Sequence, residues 1–598
     1  MKKHISLFIA VIMVFSFMLT GCKGKEVTPE NTSNDSETDE GVSITDSETS
    51  ETDSQTEPEQ TVSKADTSGM DFGFEESEPL SSGQAGTPAS EVAYNITSGG
   101  VYTLSGAIID TTVVVDAGKA DVDLILSNAN IQNSKGPAIF IRSADKVTIT
   151  LADGTTNTLS DGSSYSVTDS GSTLDAAIFS KADLTVNGNG TLIVNGNYKH
   201  GIVSKDDLII SSGTLNVTSK NVGLNGKDCV KINSGNITVN AGSDGIRSDN
   251  NSDTSRGYVY LYGGTINITA GNDGIQAETV INIEDCLLTV EAGNGSSDSL
   301  FNSAESYKGL KAGSDIYITG GIFNINSKDD CIHSNGSITI SGGDYTLSSG
   351  DDGIHADTDL EISGSETKLN IKKSYEGIEA VNLYIRDGNI SIVATDDGLN
   401  AAGGNDSSGG GMRPGMGHFS SSTGTMVISG GNIYIKMGGD GVDANGSVTI
   451  TGGNITVSGA NSGDTSILDF DTTGDISGGT FIGTGASGMA QNFSPSSTQG
   501  SIMVSTNTQS AGTNIELKDS RGNVLISHTA DQSFSCIIIS DASIVSGETY
   551  TLTVGSSSAS ITMNGTVYSS GGSGGPGGPG GFGGWFGFGG PGGPGGRR

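Results

Sequence analysis

Ser327-Lys-Asp-Asp-Cys-Ile-His-Ser-Asn-Gly-Ser-Ile-Thr-Ile-Ser-Gly-Gly-Asp-Tyr-Thr-Leu-Ser-Ser-Gly-Asp-Asp-Gly-Ile354 is the stretch that decides the fold. It holds two copies of one pattern, because Asp330-Cys331-Ile332 returns as Asp352-Gly353-Ile354 after 22 residues. Two short alternations of apolar and polar residues lie between the copies, on either side of a Gly342-Gly343 turn. A pattern that returns at this distance indicates a solenoid.

A small residue before Ile, Leu or Val recurs along most of the chain. It is found at Gly201, Gly223, Gly245, Gly274, Gly309, Cys331, Gly353, Gly377, Gly398 and Gly441. Most of the intervals are near 22 residues, and the longer ones carry insertions such as the glycine-rich segment 403–424. Each repeat holds three short β-like segments with Gly and Asn at the corners, which predicts a parallel β-helix with coils about 4.8 Å apart. A leucine-rich repeat would need its Leu/Asn signature, and a β-propeller would need a longer period.

The apolar residue after each small residue predicts a ladder inside the solenoid. Its members are Ile246, Ile275, Leu310, Ile332, Ile354, Ile378, Leu399 and Val442. The chain is therefore expected to be all-β, with a parallel β-helix over 91–493 and coils of about 22 residues. The period is lost after that, so 494–568 is expected to form a small β-domain that covers the last coil. The Gly/Pro-rich residues 569–598 are predicted to be a disordered tail.

The N-terminus has the features of a lipoprotein export signal. Met1-Lys-Lys-His is basic, and the apolar run that follows is too short for a typical membrane span, so 1–22 is predicted to be a signal peptide. Leu19-Thr-Gly-Cys22 resembles the lipobox of bacterial lipoproteins, which implies that Cys22 is lipidated. Residues 23–90 are rich in Ser, Thr, Asp and Glu and are predicted to be a disordered acidic tether. We expect the protein on the extracellular face of the bacterial cell membrane, held there by its lipid anchor.

Composition restricts the partners. The net charge of −38 argues against nucleic acid, whose affinity for proteins comes from Lys and Arg contacts to phosphate. The five cysteines show no zinc spacing and no dense disulfide framework, and Cys229, Cys286 and Cys331 are expected to be buried as small apolar residues. We expect a monomer.

The sequence resembles a bacterial family, the carbohydrate-binding domain-containing proteins. The residues that carry the resemblance are Gly100-Val-Tyr-Thr-Leu-Ser-Gly106, Gly136-Pro-Ala-Ile, Ala144–Asp161 and the repeated Asp-Gly-Ile pattern, within about 91–568. The resemblance implies a right-handed parallel β-helix like that of polysaccharide lyases. It also implies calcium-dependent binding of polysaccharide, including acidic plant cell-wall glycans, without established catalysis.

Acidic residues precede many of the small residues, which suggests cation sites. We expect metal ligands at Asp244, Asp273, Asp329, Asp330, Asp351, Asp352, Asp396, Asp397 and Asp440. Carboxylates on adjacent coils would stand about 5 Å apart and would repel each other by roughly 3 kcal/mol at an effective dielectric near 20. Ca²⁺ would relieve that repulsion, since it prefers oxygen ligands. The alternative is a turn device, in which each Asp bonds the local backbone.

The residue after each ladder position is expected to point outward in a second row. The row reads Asn225, Arg247, Gln276, Lys311, His333, His355, Glu379, Asn400 and Asp443. Arg247, Lys311, His333 and His355 are the predicted ligand-binding residues, because cations would meet the carboxylates of a uronate polymer. Tyr260, Tyr262, Tyr317, Tyr345 and Tyr384 are candidates for stacking on sugar rings. The alternative is a solvated sheet face with cross-coil charge pairs.

Three functions stay open at this stage. The first is a cell-surface lipoprotein that binds acidic or plant cell-wall polysaccharide with calcium and without catalysis. The second is a polysaccharide lyase or a polygalacturonase-like hydrolase, since Asp329-Asp330-Cys331 resembles the Asp-Asp-Cys motif of polygalacturonases. Because Asp-Asp recurs at 351–352 and 396–397, the pair belongs to the repeat, and no catalytic residues are assigned. The third is a structural surface adhesin.

Overall fold

The protein is described from a computed structural model, which covers residues 64, 67–74, 93–297, 305–402, 424–463 and 465–570. The predicted signal peptide, Cys22, most of the predicted tether, nearly all of the 403–424 insertion and the tail from 571 onward lie outside the described residues. Within the described residues all regular structure is β, and no helix there has the length and apolar character needed to cross a membrane.

Forty-eight strands make up the described structure. The first sixteen are β1 Ala93–Ile96, β2 Gly100–Ile109, β3 Thr112–Asp116, β4 Val122–Gln132, β5 Ile139–Ser143, β6 Lys146–Leu151, β7 Thr156–Ser160, β8 Ala176–Ser180, β9 Asp183–Gly188, β10 Thr191–Gly196, β11 His200–Ser204, β12 Asp207–Ile210, β13 Thr214–Ser219, β14 Leu224–Gly226, β15 Cys229–Ile232 and β16 Asn236–Ala241. The next sixteen are β17 Ile246–Ser248, β18 Tyr258–Leu261, β19 Thr265–Ala270, β20 Ile275–Ala277, β21 Ile281–Ile283, β22 Leu287–Ala292, β23 Leu310–Ala312, β24 Ile316–Ile318, β25 Ile322–Ser327, β26 Ile332–Ser334, β27 Ile338–Ile340, β28 Asp344–Ser348, β29 Ile354–Ile362, β30 Lys368–Ser374, β31 Ile378–Ile385 and β32 Asn389–Ala394. The last sixteen are β33 Leu399–Ala401, β34 Thr425–Ile428, β35 Asn432–Met437, β36 Val442–Ala444, β37 Ser447–Ile450, β38 Asn454–Gly459, β39 Leu468–Phe470, β40 Thr473–Ile476, β41 Thr480–Gly485, β42 Ser501–Gln509, β43 Asn514–Lys518, β44 Val524–Thr529, β45 Phe534–Ser540, β46 Thr549–Val554, β47 Ser557–Thr562 and β48 Val567–Ser570.

Strands β1–β41 form a parallel β-helix in which each strand pairs with its equivalent in the next coil. The first face runs through β14, β17, β20, β23 and β26. The second face runs through β12, β15, β18, β21 and β24. The third face runs through β13, β16, β19, β22 and β25. This confirms the solenoid that the repeat predicted.

The interior of the solenoid is a stack of aliphatic side chains. Every member of the predicted ladder from Ile246 to Val442 is fully buried, and adjacent coils place these residues directly in register. Phe323 and Tyr345 also stack inside, with their ring centroids 4.5 Å apart and their planes 5° apart. The structure therefore corrects the expectation for Tyr345, which belongs to the core because it alternates inward on the third face.

The small residues of the repeat lie at a corner where the coils approach closely. A Cβ on Gly274 would lie 2.3 Å from Cγ1 of Val290 and 2.6 Å from the carbonyl oxygen of Gly309 in the next coil. The same contacts recur at Gly223, Gly245 and Gly398. The corner therefore leaves very little room for a side chain, which explains why the repeat requires small residues there.

Substitution at this corner is expected to destabilise the solenoid. Gly274→Val should lower the free energy of unfolding by about 2 kcal/mol or more, because overpacking a tight interior costs on the order of 1–3 kcal/mol. Chemical denaturation of the full chain measures the change. Gly565→Ala is the control, since a Cβ at that position meets no atom within 4 Å. Equal effects of both substitutions would contradict the close approach.

The segment after the last coil forms a small β-domain. Strand β45 pairs antiparallel with β41 of the last coil and with β42, so it covers the edge of the third face. A separate four-stranded sheet in the order β44-β43-β46-β47 packs through its own hydrophobic cluster, which includes Phe534, Tyr550 and Leu552. An unpaired edge strand would be free to pair with other chains, so this domain closes the solenoid.

Part of the predicted tether lies against the solenoid. Residues Thr67–Phe74 contact the outer side of β15 and β18 through Met70, Phe72 and Phe74. This differs from a tether that is disordered throughout 23–90. The physical reason is the local composition, because Met and two Phe side chains supply apolar surface that the rest of the acidic stretch lacks.

Candidate functional site

The predicted outward row exists as one column on the first face. Asn225, Arg247, Gln276, Lys311, His333, His355, Glu379, Asn400 and Asp443 pair in register from each coil to the next. We call these residues the polar column. Basic residues occupy its middle, and acidic residues occupy its C-terminal end.

A second column of acidic residues runs along the adjacent corner. Three of its carboxylates accept a backbone N–H from the next coil: Asp330 Oδ1 from Asp352 at 3.0 Å, Asp352 Oδ1 from Glu376 at 3.3 Å, and Asp397 Oδ1 from Asp440 at 2.5 Å. Asp273 Oδ1 accepts the N–H of Lys308 in the same way, at 2.8 Å. We call the predicted metal ligands at this corner the acid column: Asp244, Asp273, Asp329, Asp330, Asp351, Asp352, Asp396, Asp397 and Asp440. The four carboxylates above fasten one coil to the next, whereas Asp329 Oδ1 accepts the N–H of Asp330 within one turn, as the sequence suggested.

Lys308 takes the place of an acid in one coil, directly before Gly309. Its Nζ lies 3.0 Å from Asp329 Oδ1 and 2.7 Å from Asp330 Oδ2, and all three side chains are buried. Burial alone would raise the pKa of Asp330, but Lys308 and His333 lower that pKa overall. Lys308 is not among the residues predicted from the sequence, although its position before the small residue gave the signal.

His333 and His355 are buried, at 3% and 1% exposure, and their rings stack with centroids 5.0 Å apart. His333 Nδ1 lies 2.9 Å from Asp330 Oδ2 and its Nε2 lies 3.0 Å from Asn335 Oδ1. His355 Nδ1 lies 2.9 Å from Glu379 Oε2 and 3.2 Å from Asp352 Oδ2. Its Nε2 lies 3.2 Å from Asp357 Oδ1. The sequence predicted that these two imidazoles contact a ligand. In the structure, side chains of the protein already contact both nitrogens of each ring.

Carboxylates surround His355 on both ring nitrogens. Burial alone would lower the pKa of His355, but hydrogen bonds to Asp352, Asp357 and Glu379 raise it well above the usual value. Burial and the neighbouring carboxylates also raise the pKa of Asp352. Both shifts have one consequence: the cluster retains a proton at a pH where a free imidazole has lost it.

The other two predicted ligand-binding residues are partly exposed. Arg247 bonds Asp244 Oδ2 and Asp249 Oδ2, each at 3.2 Å, and 26% of its side chain is exposed. Lys311 Nζ lies 3.7 Å from Asp273 Oδ2, and 27% of its side chain is exposed. These two cations retain access to solvent while they pair with the acid column. They are the members of the predicted set that a ligand can reach without rearrangement.

The C-terminal part of the two columns concentrates carboxyl groups. Burial and nearby acids raise the pKa of Asp397 to about 8 and that of Asp443 to about 7. A Cβ on Gly439 would lie 2.3 Å from Oδ1 of both Asp396 and Asp397, so the two oxygens converge beside a residue without a side chain. This donor set consists of hard oxygens and matches the ligands that Ca²⁺ prefers.

Three groups of side chains have ligating atoms within 4.8 Å of one another among the described residues. Asp329, Asp330 and Asp351 form the first, and Asp352, His355 and Glu379 form the second. Asp183, Asp206 and Asp207 form the third, on the second face, and none of them is among the residues predicted from the sequence. The sequence does contain a signal for this group. Asp183 and Asp207 each begin a strand of alternating apolar residues, and these two strands are neighbours in adjacent coils. Lys308 already binds two of the three acids in the first group, and His355 places an imidazole with a raised pKa beside both acids of the second.

The Asp-Asp-Cys motif does not form an open catalytic site. Asp329 and Asp330 are 4% and 0% exposed, and both bind the ammonium group of Lys308. Cys331 is buried, where burial first of all raises the pKa of its thiol to about 12. Glycoside hydrolysis needs two carboxyl groups that reach the scissile bond, and this pair faces the protein.

Comparison with known proteins identifies the family. The family described as "Carbohydrate-binding domain-containing protein" matches residues 90–353 and 336–420, which together are more than half of the chain. The chain belongs to this family. The family that the sequence resembles is thereby confirmed.

Individual relatives match this member of the carbohydrate-binding family over shorter stretches. A carbohydrate-binding domain-containing protein of Acetivibrio thermocellus is 43% identical over 67 residues, which are 11% of this chain and 23% of the relative. The match thus spans about a quarter of that relative's length. A solved polysaccharide lyase-like protein from C. thermocellum, in a gadolinium derivative, is 36% identical and matches 42% of this chain and 91% of its own, with a TM-score of 0.34.

The proton held at His355 predicts a pH-dependent loss of stability on substitution. His355→Gln should lower the free energy of unfolding by roughly 3 kcal/mol near neutral pH, because it leaves buried carboxylates without their cation. Because folding raises the pKa of His355, its charge stabilises the fold fully at pH values below the pKa of the unfolded state, about 6.5. That stabilisation is lost as the pH rises through the pKa of the folded state. The difference between the wild type and the variant should therefore shrink at high pH. Urea unfolding across the pH range measures it.

His528→Gln is the matched control for this measurement. Burial lowers the pKa of His528, so its substitution should not show a stability difference that shrinks with rising pH. A pH-independent effect of His355→Gln would contradict the charged cluster.

Proposed function

We propose that this protein binds acidic polysaccharide, such as plant cell-wall glycan, at the bacterial cell surface, with calcium and without catalysis. The observation that carries the proposal is the polar column, which aligns basic side chains in register along one face of a solenoid in a carbohydrate-binding family. A column of equivalent positions suits a polymer, because successive sugar units can meet successive coils. Arg247 and Lys311 supply positive charge for its carboxylates.

Calcium has its best place at the C-terminal part of the acid column. Elsewhere in that column a protein cation already stands beside the acid: Arg247 at Asp244, Lys311 at Asp273, and Lys308 at Asp329 and Asp330. Asp396 and Asp397 offer carboxylate oxygens that converge beside Gly439, and Asp397 Oδ1 also accepts the backbone N–H of Asp440 in the next coil. When bound there, the ion would neutralise their charge.

The absence of catalysis is proposed from the burial of Asp329 and Asp330, the motif on which a hydrolase would depend. The lipid anchor and the extracellular location are proposed from the lipobox-like sequence that ends at Cys22. Two signals are needed for stable membrane attachment, and a lipoprotein cysteine carries more than one acyl chain. The acidic residues between Cys22 and the solenoid would then separate the domain from the membrane.

Calcium is expected to stabilise the protein. At a concentration 100-fold above its dissociation constant, the ion should add about 2.7 kcal/mol to the free energy of unfolding, and a chelator should remove this increment. Asp396→Asn/Asp397→Asn should lose most of the increment, since the amides keep their hydrogen-bond acceptors but lose the charge. Asp121→Asn, at an exposed position in an early coil, is the control. The same response to chelator in all three proteins would contradict this calcium site.

Polysaccharide binding is expected to depend on Arg247 and Lys311. Arg247→Gln/Lys311→Gln should weaken binding of a uronate polymer roughly tenfold or more, because hydrogen bonds to charged groups contribute about 1.5–3 kcal/mol each. Pull-down with polygalacturonate measures retention, and mass spectrometry of the incubated glycan detects any shortened product. Lys368→Gln is the control, because Lys368 is an exposed cation on the third face.

The outcomes of this pull-down separate the candidate functions. Shortened or unsaturated glycan would contradict the absence of catalysis. Retention of no polysaccharide by the wild type would favour a structural adhesin over the proposed function.

A further inference from the structure

The second face carries an aromatic and cationic surface on its outer side. Lys231, Tyr260, Asn282 and Tyr317 occupy one in-register column there, and Tyr258 lies beside Tyr260 on the same strand. We call these five residues the platform. On β15 and β18 the alternation sends Val230, Ile232, Val259 and Leu261 into the core, which turns Lys231, Tyr258 and Tyr260 outward.

Residues Thr67–Phe74, which we call the strap, cover this platform. Phe72 packs edge-on against Tyr258 and Tyr260, with ring centroids 5.3 Å and 5.1 Å apart. Phe74 stacks on Tyr260 at 5.8 Å with an interplanar angle of 27°. Because of this cover, Lys231 is 2% exposed and Tyr260 is 3% exposed, although both point away from the core.

Polar contacts fix the strap to the same residues. Lys231 Nζ lies 3.0 Å from Asp71 Oδ2 and donates to the carbonyl oxygen of Gly73 at 3.1 Å. Tyr258 Oη donates to the carbonyl oxygen of Asp71 at 2.6 Å. The strap thus gives the platform an aromatic ring face, a carboxylate and two carbonyl oxygens. An acidic sugar polymer offers a comparable combination of flat ring faces, carboxylates and oxygen acceptors.

The strap is not part of the main core. Its aromatic contacts form a small cluster of their own with Met70, Tyr258, Tyr260 and Val280, apart from the main core of the solenoid. The hydrogen bonds from Lys231 and Tyr258 use side chains of the solenoid, and the Asp71 side chain is 73% exposed. Its departure would leave the stacked interior of the coils intact and would uncover a lysine beside aromatic rings.

We propose that the platform is a binding surface for uronate-containing polysaccharide and that the strap occupies it in the absence of that ligand. Asp71 takes the place of a uronate carboxylate on Lys231, and Phe72 and Phe74 take the place of sugar rings on the tyrosines. The inference rests on the proposed function and adds a site distinct from Arg247 and Lys311. A polymer must displace the strap. The apparent affinity is therefore the intrinsic affinity of the platform multiplied by the fraction of molecules in which the strap is open.

Hydrogen exchange on the full chain tests the displacement directly. Addition of saturating polygalacturonate should increase exchange in peptides that contain Thr67–Phe74, while peptides of the interior strands β16 and β19 remain protected. Unchanged exchange in the strap peptides, under conditions where the polymer is bound, would overturn the proposal. A neutral glucan of similar length serves as the control ligand, because it has no carboxylate for Lys231.

Variants test the competition. Asp71→Asn/Phe72→Ala/Phe74→Ala should bind polygalacturonate roughly tenfold more tightly than the wild type, since the binding-competent fraction rises. Adding Lys231→Gln to this variant should abolish the gain. Deletion of eight residues of the tether at 43–50 should leave the affinity unchanged. Circular dichroism melting of each protein confirms that it is folded.

Two failures of this experiment are distinct. If the wild type and the strap variant bind the polymer equally, the strap proposal is overturned and the proposed function stands. If neither binds any uronate polymer, both are overturned.

Discussion

The close approach of successive coils at one corner is the constraint on which the structure depends. At Gly274 the backbone of the next coil and the side chain of Val290 occupy the space that a Cβ would need. This contact sets the register, because each coil must bring a small residue to the same place. The following Ile or Leu then points inward, and the next residue points to the polar column. The core ladder, the acid column and the polar column all follow from that one register.

Stacking equivalent residues gathers like charges, so the solenoid must compensate for them. In the middle of the acid column this is done by side chains of the protein: Lys308 binds two aspartates, and His355 holds a proton among three carboxylates. Toward the C-terminal end the carboxylates dominate, and the pKa of Asp397 rises to about 8. The contrast between these regions is the physical basis for the proposal that calcium binds at one end and that Arg247 and Lys311 bind the ligand at the other.

Much of the fold and part of the site were predictable from residue spacing. The period of about 22 residues, the core positions and the order of the polar column depend on local alternation and on repetition, and the structure has each of them. The fate of the individual side chains was not predictable in the same way. His333 and His355 belong to the outward column, yet they are buried, because burial depends on what covers that face. Tyr345 and Tyr260 are similar cases, one placed in the core and the other covered by the strap.

The sequence by itself determined the architecture of this protein, because a solenoid requires each repeat to match its neighbour and this requirement is written into the spacing of Gly, Asp and Ile. It also determined which residues share a column. Only the tertiary structure decided which charges are neutralised within the protein and which remain available, since those pairings join residues of different coils, such as Lys308 with Asp330. It likewise placed Asp71 on Lys231, a contact between residues 160 positions apart that no local pattern encodes.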